Sequence, residues 1–225
     1  AISGVSLVDM INMLINAIFA AVATGGAVIA SQYIGRGDHK SASLAAKQLF
    51  YASLALSAVL GIIAVFFRKP VLNMVFGSIE ADVMAHAQIY FLLSAISYPF
   101  LAVYNAGAAL FRSMGDSRTT MLISILMNTI NIVGNAILIY GFQMAAAGAA
   151  TASLVSRAVG AIIITVLLLN PHRIIFYDKL HKPEIHLSML KSILQIGVPN
   201  GLENSIFQIG KILVASIVSG FGTIS

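Results

Sequence analysis

The chain has 225 residues, 59% hydrophobic and only 9% charged, with a mean hydropathy of +0.93 and a formal net charge of +5. That balance excludes an ordinary soluble domain, and the absence of cysteine excludes disulfides and thiolate metal sites. The histidines lack ligand spacing, no P-loop or nucleophile elbow occurs, and the basic residues form no dense cluster, so an enzyme, a metal centre, a cofactor and a nucleic-acid partner are not expected.

The charges fall in short connectors and leave six apolar stretches near 5–31, 44–67, 83–111, 119–141, 145–169 and 193–219. Each is long enough to cross a bilayer as a helix, so the expected fold is all-α, a polytopic membrane helix bundle in contact with lipid.

The first stretch carries Asp9, Asn12 and Asn16 at helical spacing near its start. They read as an interfacial stripe or as the rim of an outward mouth. Met10, Met13, Phe19 and the Tyr98–Tyr104 pair offer adaptable apolar surface for varied substrates, or plain packing. The fourth stretch is the most informative. Thr120, Ser124, Asn128, Asn131 and Asn135 recur at intervals of four, four, three and four, which puts all five on one helix face. An unpartnered amide costs several kcal/mol in hydrocarbon, so this face lines a path or binds a neighbouring helix.

Three ionisable residues, Arg157, Glu203 and Lys211, lie inside apolar spans and are functional candidates on that ground. Arg157 follows Ser153 by one turn and faces the same side. Glu203 lies one turn past Pro199, in a segment where Gly197, Pro199 and Gly201 invite a kinked or broken helix. Lys211 shares its face two turns on. Glu203 is the carboxylate placed deep enough to couple protons.

Alternating helices put Arg36, Lys40, Lys47, Arg112, Arg118, Arg173, Lys179, Lys182 and Lys191 on one side, against Arg68 and Lys69 on the other. The positive-inside rule places the first side in the cytoplasm. On that side the segment 170–192, with Pro171 and Pro183, reads as a linker, its Asp178 to Lys191 part lying along the membrane surface. The chain opens on Ala1-Ile2-Ser3-Gly4 and stops just past a spanning helix, so a piece of a longer protein is expected.

Several segments carry a family resemblance. They are Gly25-Gly26 through SQYIGRGD (31–38), FRSMGDSRTTM (111–121), NTINIVGNAILIYG (128–141), GAATAS (148–153) and IGVPNGLE (196–203). In order and spacing the chain resembles the multidrug and toxic compound extrusion (MATE) transporters. The resemblance implies helices two to seven of a twelve-helix protein of two lobes. Residues 1–169 would be most of the N-lobe, 170–192 the inter-lobe linker and 193–225 the truncated first helix of the C-lobe. It implies a multi-pass protein of the prokaryotic cytoplasmic membrane, monomeric as a full-length chain. Such a protein exports small amphipathic, often cationic compounds by alternating access, in exchange for Na⁺ or H⁺.

The family's helix-five asparagine matches Asn131, and the acid four positions later is Asn135 here. A helix-six hydroxyl matches Ser153, and the carboxylate on helix one is not in the chain. In one branch of the family the helix-seven acid falls where this chain has Phe207 rather than Glu203. The alternative function is a flippase for a lipid-linked oligosaccharide, which would want a cavity rich in arginine and lysine. Arg157 and Lys211 alone favour the exporter.

Overall fold

A computed structural model describes residues 2–76, 81–178, 180 and 184–221, with side chains at 204, 205, 208, 209 and 211–221 among those outside the description. The elements are α1 (Ile2–Gly35), α2 (His39–Phe66), α3 (Arg68–Phe76), α4 (Ala81–Ser113), α5 (Ser117–Asn135), α6 (Ala145–Leu168) and α7 (Leu187–Phe221). A π-helical segment, Ala136–Gly141, continues α5. Among the described residues there is no strand. Among the described residues five helices, within Val8–Gly35, His39–Phe66, Val83–Ser113, Ser117–Gly141 and Ala145–Leu168, are long and apolar enough to cross a membrane.

Two turns of one design join these helices. Gly37 and Gly115 end α1 and α4 at φ of 75° and 82°, a left-handed conformation that glycine adopts without a Cβ clash. In each turn the next N–H reaches back five residues: Asp38 to the Tyr33 carbonyl (3.0 Å) and Asp116 to that of Phe111 (2.9 Å). Each aspartate then caps the following helix, accepting from the N–H of Ser41 (3.0 Å) and of Thr119 (3.1 Å). Gly-Asp therefore both ends one membrane helix and begins the next.

The core is divided along the helix axes. Toward the lysine-rich end, Leu49, Leu110, Phe111, Ile164, Leu168 and Ile193 are fully buried together with Ile175 of the linker. Toward the opposite end Phe19, Phe91, Tyr98 and Leu72 form a second cluster. The α4 helix packs against α1, α2 and α6, while α5 rests mainly on α6 and α7 on α1.

Glycine sets the α1–α7 crossing. A Cβ at Gly25 would fall on the Ile193 carbonyl and lie 2.8 Å from the Gly197 nitrogen, and one at Gly197 would lie 3.0 Å from the Ala21 carbonyl. The two backbones are in direct contact, the packing that small residues allow where no side chain intervenes.

Three details depart from the sequence expectations. The last helix starts at Leu187 rather than 193 and runs unbroken through Gly197, Pro199 and Gly201. Its first turn takes in the end of the segment expected to lie on the membrane surface. The described linker is pinned to α2: Ser43 Oγ accepts the Phe176 N–H (3.3 Å) and Tyr51 donates to the Leu180 carbonyl (2.7 Å). Gln48 holds both the Glu184 carbonyl and the His186 N–H. Finally, residues 68–76, read as a bare connector, form the short helix α3.

Candidate functional site

Polar residues inside the bundle collect in two groups. The first joins α5 to α6. Asn131 Nδ2 donates to Ser153 Oγ (3.0 Å), and Asn135 Nδ2 donates to Asn131 Oδ1 (3.1 Å). The last oxygen of this relay, Asn135 Oδ1, is buried and has no hydrogen-bond partner among the described residues. An orphaned buried carbonyl costs about 1–3 kcal/mol. Asn135 is also the last α-helical residue before the π segment, the kind of local rewinding that recurs at functional sites. Beyond it Gln143 and Ala145 adopt positive φ of 54° and 41°, a region costly for residues with a Cβ.

Asn131 Oδ1, Asn135 Oδ1 and Ser153 Oγ make a donor set that is neutral and all oxygen. Such a set suits a hard monovalent cation, whereas none of the three can store a proton near neutral pH. The rest of the stripe behaves differently. Thr120 is buried and bonds back to the Ser117 carbonyl (2.8 Å), while Asn128 is exposed.

The second group joins α1, α4 and α6. Half-buried Asp9 accepts from the Tyr90 hydroxyl (2.9 Å) and, at 3.4 Å, from Asn12 Nδ2. Asn12 is 8% exposed; its Nδ2 also donates to Ser94 Oγ (3.2 Å), and its Oδ1 accepts from the Tyr98 hydroxyl (2.9 Å). One turn inward, Asn105 donates to Asn16 Oδ1 (2.9 Å). Arg157 leaves α6 to donate from Nη1 to Ser97 Oγ (2.6 Å), and Ser97 Oγ in turn donates to the Ser94 carbonyl (2.6 Å).

The residues read as an interfacial stripe or a mouth rim are thus one side of an interhelical polar seam. Arg157 belongs to that seam through Ser97, although it shares an α6 face with Ser153. Phe19 and Tyr98 are core rather than adaptable surface: both are under 3% exposed and their rings meet edge to face at 6.0 Å. Met10 and Met13 are exposed. Glu203 is exposed on α7, and the Lys211 side chain lies outside the described residues. Sequence reasoning missed Tyr90, Ser94, Ser97 and Asn105. Their helical spacing along α4 was the available signal.

At the lysine-rich end, hydrogen bonds from Thr119 and then the Arg173 guanidinium (3.3 Å) hold the Asp116 carboxyl below the usual carboxylate range. Arg173 also stacks over the Phe111 ring at 4.7 Å. Burial pushes the Tyr177 phenol well above its ordinary value.

Residues 1–137 match the sequence profile of the MatE family. The chain belongs to that family. It is 30% identical over 97% of its length to "Probable multidrug resistance protein NorM" of Thermotoga maritima. It is 29% identical over 99% of its length to "Uncharacterized transporter YisQ" of Bacillus subtilis. It covers 47% and 49% of those two proteins, so this MatE chain spans about half the length of the curated relatives it matches. The fold is shared with a multidrug resistance MATE family transporter solved in an outward-facing conformation, at TM-score 0.87 and 24% identity over 97% of this chain and 48% of that one. An inward-facing structure matches at TM-score 0.82 and 25% identity over 89% of this chain and 45% of that one.

Proposed function

We propose that this chain supplies most of one lobe, an inter-lobe linker and the first helix of the other lobe of a transporter in a prokaryotic cytoplasmic membrane. On this reading the complete protein exports small amphipathic, often cationic compounds by alternating access, in exchange for Na⁺ or H⁺. Family membership and the likeness to inward- and outward-facing relatives support it.

The observation that carries the site is the orphaned Asn135 oxygen beside Asn131 and Ser153. The neutral oxygens of Asn131, Asn135 and Ser153, one of them without a partner, favour Na⁺ at this cluster, with the substrate held elsewhere in the cavity. A carboxylate must then carry the exchanged charge, and a helix one before this chain is the place to look for it. Asp9, already held by Tyr90 and Asn12, is the described carboxylate inside a spanning helix that could take a proton instead. The flippase reading is weaker, because Arg157 is engaged by Ser97 rather than free to hold a pyrophosphate.

The test is drug export from everted vesicles made with the complete protein, driven separately by a Na⁺ gradient and by a pH gradient. Asn131→Leu is expected to impair Na⁺-driven export, shifting it to higher Na⁺ concentration, while leaving membrane insertion intact. Wild-type export in that variant would reduce the cluster to a helix–helix contact.

A further inference from the structure

The first part of the linker is seated on the lysine-rich end of the bundle by contacts that do not all pull the same way. Ile175 is fully buried and Tyr177 is 3% exposed, both inside the apolar cluster of Leu49, Leu110, Phe111 and Leu168. The Tyr177 ring tilts against Phe50 at 5.3 Å, and its N–H donates to the Leu168 carbonyl (2.7 Å). Arg173 reaches from the same segment to Asp116 in the α4–α5 turn (3.3 Å) and lies over the Phe111 ring. All of this favours a seated linker.

Two groups oppose it. The Tyr177 hydroxyl and Arg173 Nε are buried and have no hydrogen-bond partner among the described residues. On a lifted linker both would be hydrated, so seating takes them from water and returns nothing. The cluster that encloses Tyr177 is apolar. A bridging water there would lack the roughly two to four polar partners it needs. The later part of the linker is held differently. There the Tyr51 hydroxyl is paired with the Leu180 carbonyl, and Gln48 holds both Glu184 and His186.

We infer that residues 173–177 form a strap poised to lift from α2, α4 and α6 as a unit while the helices stay folded. Lifting hydrates the Tyr177 hydroxyl and the Arg173 guanidinium, breaks the Asp116 pair, and uncovers Leu49, Phe111 and Leu168. Asp116 is the clasp of this strap. The Tyr177 hydroxyl is the counterweight that keeps the seated state only narrowly favoured. Neither role depends on the Asn131 cluster or on what the complete protein transports.

The test is amide hydrogen exchange of the complete protein in lipid nanodiscs, read by mass spectrometry over residues 171–178 and over the middle of α4. In the wild type the strap is expected to exchange well before α4, as a local opening does. Tyr177→Phe deletes the counterweight and is expected to slow strap exchange at least about fivefold, so that losing a hydroxyl tightens the protein. Tyr51→Phe makes the same chemical change where the hydroxyl is paired, and is expected to speed exchange around Leu180 instead. Asp116→Asn keeps a helix-capping side chain but loses the charge that holds Arg173, and is expected to speed strap exchange severalfold. Strap exchange as slow as that of α4, no slowing in Tyr177→Phe, slowing in Tyr51→Phe as well, or no acceleration in Asp116→Asn overturns the inference.

Discussion

At the scale of single residues, the two polar groups differ in what each side chain leaves unused. Asn12 spends three of its four hydrogen-bonding positions on Asp9, Ser94 and Tyr98, so it is anchored on α4. Tyr98→Phe removes one of those bonds and is expected to cost about 1 kcal/mol, seen as a lower unfolding midpoint with Na⁺-driven export retained. Asn135 keeps an oxygen without a partner among the described residues, as the proposed cation site requires. Loss of the Asn131 oxygen in Asn131→Leu is expected to weaken Na⁺ binding by about ten- to a hundredfold, the equivalent of about 1.5–3 kcal/mol, measured as the Na⁺ concentration for half-maximal export. Asp9→Asn separates the coupling ions. Loss of pH-driven export alone would make Asp9 the proton carrier, and unchanged export under both gradients would leave it a structural acceptor for Tyr90. Asp116 gives a pH prediction. Its carboxyl is held below the usual range, so its contribution is present above about pH 4 and is lost as pH falls through the lowered value. Asp116→Asn should therefore lower the unfolding midpoint modestly at neutral pH, leave it almost unchanged at low pH, and so flatten the acid limb of the stability profile.

At the scale of elements, the spans were legible because twenty or so apolar residues between charged turns admit few other structures. The α5 stripe was legible for a related reason, since polar residues in an apolar helix reveal their own periodicity. Its partners were not. That Asn131 meets Ser153 while Arg157, one turn along the same helix, turns to Ser97 depends on how α6 sits between α4 and α5. Phe19 and Tyr98 were unreadable from composition, because an apolar side chain looks the same whether it faces lipid or core. The short α3 was hidden by Arg68-Lys69-Pro70, which reads as a connector although proline is tolerated in a first helical turn. The glycine crossing yields its own prediction. Gly25→Leu must part the α1 and α7 backbones and is expected to destabilise the protein by ~1–3 kcal/mol or more. Gly35→Leu, at a position with nothing within 4 Å, serves as the control.

At the scale of the whole molecule, the charge asymmetry predicts topology. Cysteines at Ser41 and Ser117 should react with a membrane-impermeant thiol reagent only from the cytoplasmic side. One at Ser78, outside the described residues, should react only from outside. Labelling of Ser41 in intact cells would reverse the orientation.

Ser43, Gln48 and Tyr51 all grip the linker by its main chain, touching the N–H groups of Phe176 and His186 and the carbonyls of Leu180 and Glu184. Main-chain groups are the same in nearly every amino acid, so these grips do not read the linker's side chains. They read its spacing. Swapping the exposed Glu184 and His186 side chains should be silent, whereas adding or removing a residue between Leu180 and Glu184 would put every later grip out of step.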